Sequence, residues 1–151
     1  MCRIIVALAL VCLAGCKSSA TTAQQSKEET DLDLMQGIWV ADAYERDGKP
    51  VGAAILQRTR VDIEGDALEL IETAEFGSIA TFKLDEDANP KHIDLRTADR
   101  PDRLLLGIYR LDGDYLRICW ADFGKPRPTA FTTINGMGVV SLSLHRLQEL
   151  D

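Results

Sequence analysis

From residue 37 onward, apolar and polar side chains alternate in short runs, broken about every ten residues by Gly, Asp, Asn or Pro. A period of two is the signature of a half-buried strand, and turn residues at this spacing point to an all-β barrel or sandwich. A helical turn over Asp31 to Gln36 precedes the pattern. Strands are expected at Ile38 to Glu45, Leu56 to Glu64, Ala67 to Glu75, Ile79 to Leu84, His92 to Thr97, Leu104 to Leu111, Tyr115 to Ala121 and Val139 to Leu147, with a further one around Phe131. The breaks fall at Asp47-Gly48, at Gly65-Asp66, near Gly77, over Asp85 to Lys91 and over Ala98 to Arg103.

Leu111-Asp112-Gly113-Asp114 is the clearest hairpin, because Asp-Gly supplies the positive φ angles of a type I′ turn. Such a turn sets Tyr109 opposite Leu116, Gly107 opposite Ile118 and Leu105 opposite Trp120, all on one face with Leu111. Arg110, Tyr115, Arg117 and Cys119 then form the opposite, more solvent-facing side. The run Ile63-Glu64-Gly65-Asp66-Ala67-Leu68-Glu69-Leu70 parallels Leu111 to Ile118 and reads as the same hairpin chemistry used twice. About eight antiparallel strands in a meander form an up-and-down barrel, which removes edge strands by closing on itself; a two-sheet sandwich is the structural alternative. An eight-stranded barrel has room inside for side chains or for one small ligand. Trp39, Leu105, Tyr109, Leu116, Ile118 and Trp120 are the residues expected to form that core or to line a cavity in it.

Gly37-Ile38-Trp39 at the start of the first strand is similar to the Gly-x-Trp opening of lipocalins and related calycins. The resemblance implies that Trp39 plugs one barrel end and that Arg146, on the leucine face of the last strand, packs across it as a cation over an indole. Five ordered blocks extend the likeness: Leu34 to Trp39, Asp47 to Pro50, Pro90 to Leu95, Gly107 to Cys119 and Arg127 to Phe131. They resemble a lipocalin-like domain family expanded in planctomycete bacteria, often secreted or lipid-anchored. That resemblance implies fold and location and carries no established activity.

Ahead of the domain, Arg3 is followed by an apolar run from Ile4 to Leu13, too short for the roughly 20 residues of a membrane span. One basic residue, a short apolar core and small residues make a secretory signal. Leu13-Ala14-Gly15-Cys16 resembles the lipobox of bacterial lipoproteins, which implies cleavage before Cys16 and lipidation of its thiol. Stable anchoring takes two or more acyl chains. Lys17 in place of aspartate favours the outer over the inner membrane under the enterobacterial sorting rule. The expected organisation is a signal peptide over 1–15, a lipidated cysteine and flexible tether over 16–30, and one barrel domain over 31–151. The tether, poor in apolar residues, does not order itself and reaches roughly 20 Å.

Of the four cysteines, Cys2 and Cys12 leave with the signal and Cys16 is lipidated. Cys119 is left as a free thiol, so no internal disulfide is expected. The chain carries 24 acidic against 17 basic residues, a net charge of −7, with no basic stripe, so nucleic acid is not an expected partner. His92 and His145 are the only histidines. No Gly-x-Ser-x-Gly elbow, His-Glu-x-x-His motif or phosphate loop accompanies them, and Asp85-Glu86-Asp87 lacks the spacing of a calcium loop. No catalytic centre, cofactor or metal is expected. Cys119 beside Arg117 is weighed as a reactive thiol and as a packed side chain, the second being favoured. The expected partners are a membrane, through the lipid, and either a small apolar ligand inside the barrel or an envelope protein at its loops.

Overall fold

The computed structural model describes residues 28–72 and 77–148. Cys16, the signal peptide and most of the tether lie outside the described residues. Helix α1 (Asp31–Met35) is capped by Thr30, whose hydroxyl accepts from the Asp33 amide while the Asp33 carboxylate accepts from the Thr30 amide. This reciprocal capping box fixes where the short helix begins. Strand β1 (Gly37–Arg46) follows directly. A tight turn joins it to the two-residue strand β2 (Lys49–Pro50). After the helical turn α2 (Ala53–Leu56) come β3 (Arg60–Glu64), β4 (Ala67–Ile71), β5 (Gly77–Asp85), β6 (Lys91–Thr97), β7 (Leu105–Asp112), β8 (Tyr115–Ala121) and β9 (Val139–Arg146).

Every strand from β3 to β9 is antiparallel to the next, and β9 returns to pair with β1, which also pairs with β3. The result is a closed eight-stranded antiparallel barrel, with β2 as a spur on β1. Closure is what the alternation demands: each strand has one apolar face to bury, and a cylinder buries all of them against one another. Val61, Ile63, Leu68, Leu70, Phe82, Ile93, Leu95, Leu116, Ile118, Leu142 and Leu144 all point inward and are buried. Each such side chain contributes about 1.5–3 kcal/mol relative to exposure.

Three expectations are corrected. The second expected strand begins at Arg60 rather than Leu56, because Ala53–Leu56 forms α2, in which the Leu56 amide bonds to the Gly52 carbonyl. No strand forms around Phe131; residues 122–138 form a long strap laid over the outer wall. The β7–β8 register is offset by two residues: Leu111 opposes Leu116 and Gly107 opposes Trp120. The turn is Gly113-Asp114, with a positive φ at the glycine alone (+57°), as a type II′ turn requires. An even offset preserves parity, so the inward face keeps the same residues. Glu64 to Ala67 repeats this geometry, with Gly65 at +59°. The type I′ pattern sits instead at Asp47-Gly48, where both φ angles are positive.

A β-bulge between Ala41 and Ala43 leaves Asp42 unpaired in the β1–β9 ladder. It shifts the inward phase of β1 from Trp39 and Ala41 to Tyr44. Without that extra residue Ala43 would face the core and Tyr44 the solvent.

Candidate functional site

Helix α1 and the turns after β3, β5 and β7 close one end of the barrel. Trp39 is completely buried there and donates its indole N–H to the Met35 carbonyl at 2.8 Å. Trp39 and Arg146 are direct cross-strand partners, and the guanidinium lies 4.2 Å from the centroid of the indole ring. Its remaining N–H groups go to the carbonyls of Gln36 and Leu34, both at 2.6 Å, and to Asp114 at 3.0 Å. Gly37, at φ +107°, makes this possible: the chain reverses so that the end of α1 presents its carbonyls to Arg146, and a Cβ would stand 3.6 Å from Nη1. One arginine thereby satisfies the helix-end carbonyls that have no intrahelical donor.

Asp31 ties the same helix to the opposite wall. Its carboxylate accepts from the Tyr109 hydroxyl at 2.7 Å and pairs with Lys91. Burial, and then the bond to Asp31, push the Tyr109 phenol far above its usual range, so it stays a neutral donor. Trp39, Tyr109 and Leu116 thus fill the closed half as packed core.

The other half is not filled. A cavity of about 150 Å³ lies among Val61, Leu70, Ala80, Leu105, Ile118 and Trp120, with Arg46, Ser78 and Thr97 toward its mouth. The lining is mainly apolar. Leu105, Ile118 and Trp120 therefore border open space, whereas Trp39, Tyr109 and Leu116 do not. Arg46 donates to the Tyr44 hydroxyl at 2.5 Å, and that hydroxyl lies 2.6 Å from Glu72. Burial and the Glu72 carboxylate raise the Tyr44 pKa, leaving a neutral phenol between two charges. The rim is thus a polar bridge above an apolar floor.

Cys119 lies on the outer face of β8 and is completely buried, contrary to the solvent-facing side assigned to it from alternation. The strap covers it: Cys119, Ile108, Ala121 and Val139 form a second small core with Phe131. Arg117 donates to the Phe131 carbonyl at 2.6 Å. Arg127 donates to the Gly107 carbonyl at 2.5 Å and forms an ion pair with Asp94 at 2.7 Å. Desolvation pushes the Cys119 thiol up to about 11, overriding the opposite pull of Arg117. A thiol held there stays protonated and is not nucleophilic.

Neither His92 nor His145 lines the cavity; they sit beside Asp85 and Asp42 respectively. Among the described residues, no group of three or more His, Cys, Asp or Glu side chains is placed to hold a metal ion. The polar rim escaped sequence reasoning because Tyr44 faces inward only through the bulge at Asp42, and Arg46 follows Tyr44 in phase. Two consecutive outward residues would have been the signal, and Asp42-Ala43 does not display them. Comparison of this chain with protein-family models, with curated proteins and with solved structures finds no match.

Proposed function

We propose that this chain is a cell-envelope lipoprotein, anchored through Cys16, whose non-catalytic barrel takes a small apolar group into its mouth. The observation that carries the reading is the apolar cavity of about 150 Å³, bordered by Leu105, Ile118 and Trp120 and blind at the Trp39 end. Cavities that hold drug-sized ligands measure about 300–1,000 Å³, whereas an apolar cavity of about 150 Å³ suits a benzene-sized body. The occupant is therefore one ring or a short branched alkyl end. The lipobox-like Leu13 to Cys16 and the following polar tether support the anchor, and Lys17 favours the outer membrane. The closed barrel and its Gly-x-Trp opening support kinship with lipocalin-like domains.

A second reading, an envelope interaction module recognised through its loops, is favoured by the packed closed half and by the exposure of Phe123, Ile134 and Met137 in the strap.

Toluene, titrated into the protein, separates the two. A saturable rise in melting temperature with a change in Trp120 fluorescence is expected, and both should vanish in Ala80→Leu, which fills the space. No rise, or an equal rise in the variant, would overturn cavity binding. For the anchor, Cys16→Ser should release the protein from membranes and abolish palmitate labelling.

A further inference from the structure

The outer wall of the barrel carries two adjacent arginines that form no ion pair among the described residues. Arg110 and Arg117 are direct cross-strand partners on β7 and β8, both exposed. Like charges in that position repel. The chain has an excess of acidic residues, yet no carboxylate among the described residues forms an ion pair with either guanidinium. Two acids lie nearby. Asp42, brought round by the bulge, is engaged with His145, its Oδ1 lying 2.8 Å from Nδ1. Asp112, two residues along β7 from Arg110, is the cross-strand partner of Tyr115 and lines the same depression without an ion pair to either arginine. Arg117 is already held in place by the Phe131 carbonyl at 2.6 Å and by the Phe131 ring, whose centroid is 5.4 Å from its guanidinium carbon. Its fork is pre-organised, while the Arg110 guanidinium has no hydrogen bond to any described residue.

Beside this pair, β9 contributes Ser143, the cross-strand partner of Arg117. Tyr115, two residues along β8, is 66% exposed, an unusual position for an aromatic ring. Together with Asp42 and Asp112, these residues border a depression of about 250 Å³ on the wall, which shares no lining residue with the barrel mouth.

We propose that this depression is an oxyanion site, in which Arg110 and Arg117 together grip a carboxylate or phosphate group of a small ligand. Two guanidinium forks side by side match the oxygens of such a group and hold it by paired N–H donors. The Ser143 hydroxyl supplies a further donor, and the Tyr115 ring a platform for the ligand body. The bound anion removes the repulsion between the arginines, so the site is completed by its ligand. The cavity inside the barrel plays no part in it.

The test is a titration of the full chain with inorganic phosphate and, separately, with succinate, at ionic strength held constant with chloride. Amide shifts are followed by ¹H–¹⁵N NMR. Saturable shifts over residues 110–117 and 143–145 are expected, with a dissociation constant below about 10 mM. A response to succinate alone assigns a carboxylate ligand, and to phosphate alone a phosphate. Arg110→Gln and Arg117→Gln should each weaken binding at least about tenfold with the rest of the spectrum intact, and Arg110→Lys should restore part of it. Absence of saturation by either anion, or equal shifts in Arg110→Gln, would overturn the site.

Discussion

The guanidinium of Arg146 lies over the indole of Trp39, 4.2 Å from its centroid, while its N–H groups hold the two carbonyls of Leu34 and Gln36. The last strand is in this way bolted to the first and to the helix that precedes it. Arg146→Ala removes the stacking and takes the donor from the partly buried Gln36 carbonyl and the exposed Leu34 carbonyl. With charge-assisted bonds at about 1.5–3 kcal/mol each and partial compensation by water, a loss of about 2–4 kcal/mol is expected. Lysine at 146 should recover less than half, because a single ammonium cannot reach both carbonyls and stack. Urea midpoints measure the effect; a neutral alanine variant would show that the plug does not hold the barrel closed.

The barrel was legible from the sequence because its cause is local. Alternation at Val61-Ile63, Leu68-Leu70 and Leu116-Ile118 assigns each strand a core face without knowledge of its neighbours. Errors arose where the deciding contact is remote or where two local solutions compete. Ala53 to Leu56 reads equally as a strand start or a helical turn, since four apolar residues carry no period. Gly113 admits a turn beginning one residue earlier or later, and only the cross-strand packing of Leu111 on Leu116 chooses. Burial of Cys119 depends on Ala130 and Phe131 of the strap, more than ten residues away in sequence, and the inward face of Tyr44 on a bulge with no signature of its own. The cavity was invisible for a related reason: it is a deficit of volume at Ala80 and Leu105, and alternation reports direction, not fit.

Among the glycines within the barrel strands, Gly107 has the least room for a side chain. A Cβ there would stand 2.8 Å from the Cys119 carbonyl and 3.0–3.1 Å from Ile93, and two of those three contacts are backbone atoms that cannot swing away. Gly107→Ala should cost about 2–3 kcal/mol through strand displacement. Gly52→Ala is the control: its φ is −60° and nothing lies within 4 Å, so a change within about 0.5 kcal/mol is expected. Equal melting temperatures for the two variants would contradict the close strand approach at Gly107.

Cys119 should resist alkylation. In a chain whose Cys2, Cys12 and Cys16 are replaced by serine, iodoacetamide at pH 8 meets one thiol that is buried, covered by the strap and mostly protonated. Labelling should be slow in native buffer and should accelerate with urea along the unfolding transition. Arg127→Ala, which frees the strap from the Gly107 carbonyl and Asp94, should accelerate it at least about tenfold while leaving the global midpoint shifted by under about 1.5 kcal/mol. Rapid stoichiometric labelling of Cys119 with the strap unaltered would show that the strap does not cover the thiol.

Tyr109 predicts where the fold fails on the alkaline side. Its phenol is raised well above the usual tyrosine value of about 10 by burial and by the Asp31 carboxylate. The stabilisation linked to its proton is therefore complete below pH 10 and is lost as pH rises from there towards the folded-state value. Above pH 10 the unfolded chain releases this proton while the folded one retains it, so the unfolding free energy falls with pH. The rise in Tyr44, from burial and Glu72, acts in the same direction. Tyr109→Phe deletes the titration together with the 2.7 Å bond to Asp31, which remains paired with Lys91. At pH 7 the variant should be about 1–2 kcal/mol less stable; between pH 10 and 12 its stability should decline less steeply than that of the parent. Urea unfolding at stepped pH reads both quantities, and parallel declines for the two proteins would show that the Tyr109 proton is not what couples the closed end to pH.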